Sequence, residues 1–219
     1  MRAMILAAGR GKRMGALTDH IPKPLLSIKN KPLIVYQIEA LKDAGVEVFV
    51  INLGYLGHKI EAALGNGSQF GVRIQYSFED PVLETGGGVA KALPLLGSDP
   101  FIVVSSDIYT DFPYKQLPKD PKGLVHLVMV DNPPHHSRGD YALVDGKICK
   151  TGEPLFNFGG IGVYRPELFV GCPEGIFPLN LLYEKAIKEK QISGEYYQGL
   201  WHNIGMPEQL ADLNEGIKL

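Results

Sequence analysis

The chain has 219 residues, 45% of them hydrophobic and 21% charged, and its 22 basic and 24 acidic side chains leave a formal net charge of −2. So even a balance sets up no long-range field toward nucleic acid or an anionic membrane, and neither is expected as a partner. The length fits one domain with an ordinary core. Cys149 and Cys172 are the only cysteines. Two isolated thiols suggest neither a disulfide framework nor a zinc knuckle, and they suit a reducing cytoplasm. The opening apolar run passes into the basic stretch Arg10–Arg13 too soon for a signal peptide. No stretch approaches the roughly 18 apolar residues of a membrane span.

In chain order, that opening run is too short for a helix and ends in glycines, as a buried parallel strand does. Ile34, Ile38 and Leu41 fall on one helical stripe, stopped at Gly45. Val46–Ile51 reads as a strand, Leu56–Leu64 as a helix and Val72–Tyr76 as a strand. Gly87–Leu96 reads as a helix opened by three glycines, and Phe101–Ser105 as another buried strand. Strands alternating with helices predict βαβ units around a mostly parallel sheet. In the second half Leu124–Val130 reads as a strand, and Tyr141–Val144 and Lys147–Lys150 flank Asp145-Gly146, a two-residue hairpin signal. Gly160–Tyr164 is a strand halted by Pro166, Leu179–Lys190 an amphipathic helix, and Pro207–Ile217 a closing helix. The expected architecture is a single α/β domain with a mostly parallel mixed sheet and an antiparallel excursion in its second half.

The chemistry concentrates near the start. In Ala7-Ala8-Gly9-Arg10-Gly11-Lys12-Arg13-Met14, glycines after a strand let main-chain N–H groups approach phosphates closely. Arg13 adds a planar fork for phosphate oxygens, and Lys23, held between Pro22 and Pro24, adds a point charge. The segment is neither a Walker loop nor the dinucleotide fingerprint, because Met14 stands where the third glycine belongs. A plain glycine turn with solvated cations is the alternative. Leu83-Glu84-Thr85-Gly86-Gly87-Gly88 permits close approach of a flat base or ribose, or is simply a tight entry into a helix. Asp107 follows a buried strand, where open α/β sheets bind ligands, and a carboxylate there suits magnesium shared with substrate phosphates. It can equally make an Asx-turn. His135-His136, among prolines and Ser137-Arg138-Gly139, reads as a solvated pair. No Gly-x-Ser-x-Gly elbow appears and neither cysteine has an activating neighbour, so nucleophilic catalysis has no support.

Together these residues resemble the sugar-1-phosphate nucleotidyltransferases. The opening segment through Pro22-Lys23-Pro24-Leu25 looks like that family's signature loop. Leu83–Gly88, Asp107, Phe158-Gly159-Gly160-Ile161 and Trp201–Gly205 follow in the family's order over essentially the whole chain. The resemblance implies a Rossmann-like domain, with a nucleotide-binding part over about 1–110 and a sugar-binding part over about 111–219. It implies a nucleoside triphosphate and a sugar-1-phosphate as partners, a cytoplasmic setting, and a monomer or small homo-oligomer. Arg13, Lys23 and Asp107 would be catalytic. Leu6, Ala8, Gly9, Gly11, Thr85, Gly86 and Gly87 would join Arg13 and Lys23 on the nucleotide, with Glu79 near the base. Gly139, Asp140, Glu153 and Asn157 would hold the sugar, and Asp107 with Asn203 the Mg²⁺. Many relatives have Asp at the position of Asn203, a Glu-Lys-Pro whose nearest match here is Glu153-Pro154, and Asn at the position of Phe158. Val130-Asp131-Asn132-Pro133 with Arg138-Gly139-Asp140 is similar to a uridylyltransferase branch that serves peptidoglycan recycling. A carboxylate at Glu79 also suits guanine, which keeps a GTP-dependent guanylyltransferase as the alternative. From another class, the alternative is a non-catalytic nucleotide- or sugar-binding subunit.

Overall fold

The computed structural model describes residues 1–216. In chain order its elements are β1 (Ala3–Leu6), β2 (Ser27–Ile28), β3 (Lys31–Pro32), α1 (Leu33–Asp43), β4 (Val48–Leu53), α2 (Gly57–Leu64), β5 (Arg73–Phe78), α3 (Glu84–Leu96), β6 (Phe101–Ser105), β7 (Ile108–Thr110), β8 (Val125–Val130), β9 (Tyr141–Val144), β10 (Lys147–Cys149), β11 (Leu155–Tyr164), α4 (Asn180–Lys188), β12 (Ile192–Tyr196), β13 (Trp201–Asn203) and α5 (Pro207–Glu215). Among these residues nine strands make one sheet, in the order β5-β4-β1-β6-β11-β8-β12-β10-β9. β5, β4, β1 and β6 are parallel, and β11 runs antiparallel between β6 and β8. Two short ribbons, β2–β3 and β7–β13, lie outside that sheet.

Period-two alternation on buried strands explains the layers. Ala3 and Ile5 of β1, Phe49 and Ile51 of β4, and Ile102 and Val104 of β6 pack under α1 and α2 with Ile34, Ile38, Leu41, Ile60 and Leu64. Their neighbours Met4, Val50 and Val103 point the other way, against Val89 and Leu96 of α3 and Leu182 and Ala186 of α4. A third cluster joins the two ends of the chain: Met14 packs with Ile28, Leu33, Ile204, Leu210 and Leu213.

The expected parallel half is present, and so is the β9–β10 hairpin, closed through Asp145 and Gly146 at positive φ as such two-residue turns require. Three elements differ from expectation. α3 begins at Glu84, so its glycines lie inside its first turns and do not precede it. β11 begins at Leu155, and its register against β8 shifts between Phe158 and Gly162, where Gly160 takes φ 73°. β12, absent from the sequence reading, runs parallel to β8, so the second half is not wholly antiparallel. The expected closing helix ends at Glu215, and Ile217 lies outside the described residues.

Candidate active site

The glycine loop leaves β1 at the carboxyl ends of the parallel strands. Gly11 has φ 66°, and a Cβ there would come 3.0 Å from the Lys23 Cβ, so both the turn and the nearness of Lys23 call for glycine. Lys23 is itself buried, and its Nζ donates to Asp107 Oδ2 at 2.5 Å. Buried charges are paired. Asp107 stands just past β6, so the pair joins the loop to the strand end.

Two cavities adjoin here. One, of about 310 Å³, is lined by Leu6, Ala8, Gly9, Gly11, Arg13, Lys23, Thr85 and Asp107, all expected from the sequence, and also by Asn52, Glu84, Ser105 and Ser106. The other, of about 590 Å³, is lined by Asp140, Asn157 and Asn203, which were expected, and by His136, Phe158, Asn180, Tyr183 and Trp201. Leu6, Arg13, Thr85 and Ser105 line both. A ligand in each cavity would therefore meet the other beside the Arg13 guanidinium.

Some expected residues lie elsewhere. Glu79 is buried and lines neither cavity: Oε1 accepts from Asn52 Nδ2 at 2.7 Å, and Oε2 from the Leu83 amide at 2.8 Å. Asn52 in turn accepts from the Ala7 amide at 2.8 Å, so this buried network ties β5 and α3 to the start of the loop. Gly86 and Gly87 are buried against the chain itself. Both amides donate to the Phe177 carbonyl, and a Cβ on Gly87 would fall 2.0 Å from the Gly175 oxygen. Their close approach brings residues 175–177 against the start of α3. Glu153 is exposed and lines neither cavity, while Gly139 makes the turn into Asp140 at φ 75°.

Other residues join the cavities without having been expected there. His136 lines the larger cavity, and its Nε2 donates to Asp140 Oδ1 at 3.0 Å. Asp140 Oδ2 accepts from the Phe158 amide at 2.8 Å. The Pro-rich surroundings of His136 carry no sequence signal for this, because the ring is half-exposed and its partner Asp140 is held by the Phe158 amide of β11. Asn52 did leave a signal, a lone amide in an apolar strand. Glu84 lines the smaller cavity at φ 60°, a left-handed conformation uncommon for a side chain with a Cβ and concentrated at ligand sites. At one wall of the larger cavity the hydroxyls of Tyr164 and Tyr183 lie 2.5 Å apart. Burial raises both pKa values, so both phenols stay protonated near neutral pH.

The β7–β13 ribbon brings Asn203 beside Asp107: Asn203 pairs with Ile108, and the Ile204 amide donates to the Asp107 carbonyl at 2.8 Å. Gly205 keeps this corner open, since a Cβ there would lie 3.2 Å from Asn203 Oδ1 and 3.4 Å from the Arg13 Cζ. Among the described residues no three His, Cys, Asp or Glu side chains converge on a metal position. One carboxylate and one amide oxygen do not cage a metal. They fit a hard cation that takes its remaining oxygens from phosphates.

Residues 2–145 match the nucleotidyl transferase family model. The chain is 44% identical over 215 residues to an N-acetylmuramate alpha-1-phosphate uridylyltransferase from Neisseria meningitidis, covering 94% of this chain and 93% of that one. It is 31% identical over 224 residues to a mannose-1-phosphate guanyltransferase from Gibberella zeae, covering 95% of this chain but 62% of the longer relative. Among solved structures it superposes with a TM-score of 0.86 on a Bacillus anthracis protein provisionally named a glucose-1-phosphate thymidylyltransferase, at 19% identity, covering 98% and 94% of the two chains. HddC from Yersinia pseudotuberculosis, solved with GMP-PN, gives 0.78 at 22% identity, covering 99% of each chain.

Proposed function

The chain belongs to the nucleotidyl transferase family, and on that premise we propose that it joins UTP to N-acetylmuramate 1-phosphate, giving a UDP-sugar and pyrophosphate. The observation that carries the reaction is the pair of adjoining cavities that share Arg13 and Ser105. The substrates follow from 44% identity along nearly the whole of both chains. In this reading the triphosphate lies on the glycine loop, and the sugar lies between β11, α4 and the Asp140 turn. The smaller cavity is formed by residues from the first 110, whereas the larger draws on both parts of the chain.

A phosphate oxygen of the sugar attacks the α-phosphorus, the α–β anhydride bond breaks and pyrophosphate carries away the negative charge. Such a transfer needs alignment and charge stabilisation, not a protein nucleophile. Arg13 holds the junction, and its fork meets the charge that grows on the leaving group. Lys23 neutralises the phosphates once it is drawn from Asp107. Asp107 and Asn203 would hold Mg²⁺, which supplies Lewis-acid charge to the phosphate oxygens when bound. The two free thiols agree with a cytoplasmic setting. No helix among the described residues is long and apolar enough to cross a membrane. Both Glu79 oxygens are engaged by Asn52 and Leu83, so the carboxylate does not offer guanine a free pair of acceptors, which supports uridine.

The test is a pyrophosphate-release screen crossing UTP, GTP, dTTP and CTP with several sugar-1-phosphates, with and without magnesium. UTP with N-acetylmuramate 1-phosphate should give the highest rate, and only with the metal. GTP with mannose 1-phosphate as the best pair would overturn the substrate assignment. No release from any pair would leave a non-catalytic binding protein.

A further inference from the structure

The 590 Å³ cavity contains two side chains able to carry positive charge, and the reaction uses only one of them. Arg13 lies where the two cavities meet, so it belongs to the phosphates. His136 lines only the larger cavity, and it is held in place. Its Nε2 donates to Asp140 Oδ1 at 3.0 Å, and Asp140 is fixed by the Phe158 amide on Oδ2 and by its own amide on the Phe156 carbonyl, each at 2.8 Å. Nδ1 has no hydrogen-bond partner among the described residues. An oriented imidazole with one nitrogen anchored and the other left for a ligand is a recognition group. Neutral hexose hydroxyls do not call for a cation. An acidic substituent does, and a muramate sugar differs from a glucosamine in bearing a lactyl ether that ends in a carboxylate.

We propose that His136 is the specificity-determining residue for the acid group of the sugar, with Asp140 as the positioning residue that aims it. With a proton on each nitrogen, the imidazole donates one N–H to Asp140 and the other to the lactyl carboxylate. A hydrogen bond to a charged partner is the kind that separates an acid from its uncharged isostere. The inference rests on the assignment of N-acetylmuramate 1-phosphate as acceptor, and its test separates the two.

The probes are UDP-N-acetylmuramate and its lactyl carboxamide, equal in shape and different in charge, titrated calorimetrically into the wild-type protein, His136→Gln and His136→Asn. The wild-type protein should bind the acid at least about tenfold more tightly than the amide, and both variants should bring that ratio close to one. Because the readout is a ratio within each protein, a general loosening of the 134–140 turn does not imitate the effect. A ratio that stays high in both variants would overturn the role of His136, and so would a wild-type ratio near one. Wild-type protein that binds neither probe, yet binds UDP, would instead overturn the acceptor assignment, and the inference with it.

Discussion

The Lys23 ammonium lies 2.5 Å from the Asp107 carboxylate, an ion pair that spans 84 residues of sequence and sits where the glycine loop meets the end of β6. Each partner answers the charge of the other. The pair thus fixes the glycine loop against the strand end. It also makes Asp107 a structural residue, which its position after a strand does not reveal.

Asp107→Ala should therefore do two things. It should abolish pyrophosphate release, and it should lower stability by about 1–3 kcal/mol, somewhat less than for a fully buried pair, because Lys23 stays buried without a counter-charge. Asp107→Ala, Lys23→Met and the double variant, compared by chemical denaturation, check this. If the ion pair stabilises the fold, the double variant loses less than the sum of the singles.

Arg13→Ala should lower kcat by roughly 100-fold with a smaller change in KM, because a fork beside the leaving group matters most in the transition state. Steady-state kinetics in UTP decide it. A change confined to KM would restrict Arg13 to docking the triphosphate.

Asn203→Asp adds a charge beside Asp107 and should lower the magnesium concentration needed for half-maximal rate, since charged ligands raise affinity for hard cations. Asn203→Ala should raise it. Superimposable magnesium titrations for the three proteins would remove Asn203 from the metal.

Glu79→Gln offers one acceptor oxygen where two donors, from Asn52 and Leu83, now bond. Leaving one buried donor unmet costs about 1–3 kcal/mol, which lowers the melting temperature by roughly 2–4 °C per kcal/mol for a chain of this size. The UTP-to-GTP preference should not change. A shifted preference with unaltered stability would return Glu79 to the base.

The parallel half was legible because its strands are continuous apolar runs and each helix shows one stripe, as with Ile34, Ile38 and Leu41. That Arg13, Lys23 and Asp107 line one cavity was legible because loop and strand-end position point the same way. Other features depend on distant packing. Nothing local around Gly86 and Gly87 reveals that residues 175–177 fold back onto them. β12 was missed because Ile192-Ser193-Gly194-Glu195-Tyr196 lacks an apolar run and becomes a strand only beside β8. His136 was missed because prolines and a serine surround it, whereas its orientation comes from Asp140 and, through it, from β11.

The cluster of Met14 with Ile204, Leu210 and Leu213 also bears on the order of assembly during synthesis. Met14 is wholly buried, yet three of the side chains that cover it are translated about 190 residues later. A nascent chain that has already completed β1, β4 and β6 still lacks the packing that covers Met14 and fixes its glycine loop. The loop is therefore secured late, with α5, so an incomplete chain still on the ribosome would carry the parallel strands with that loop unanchored.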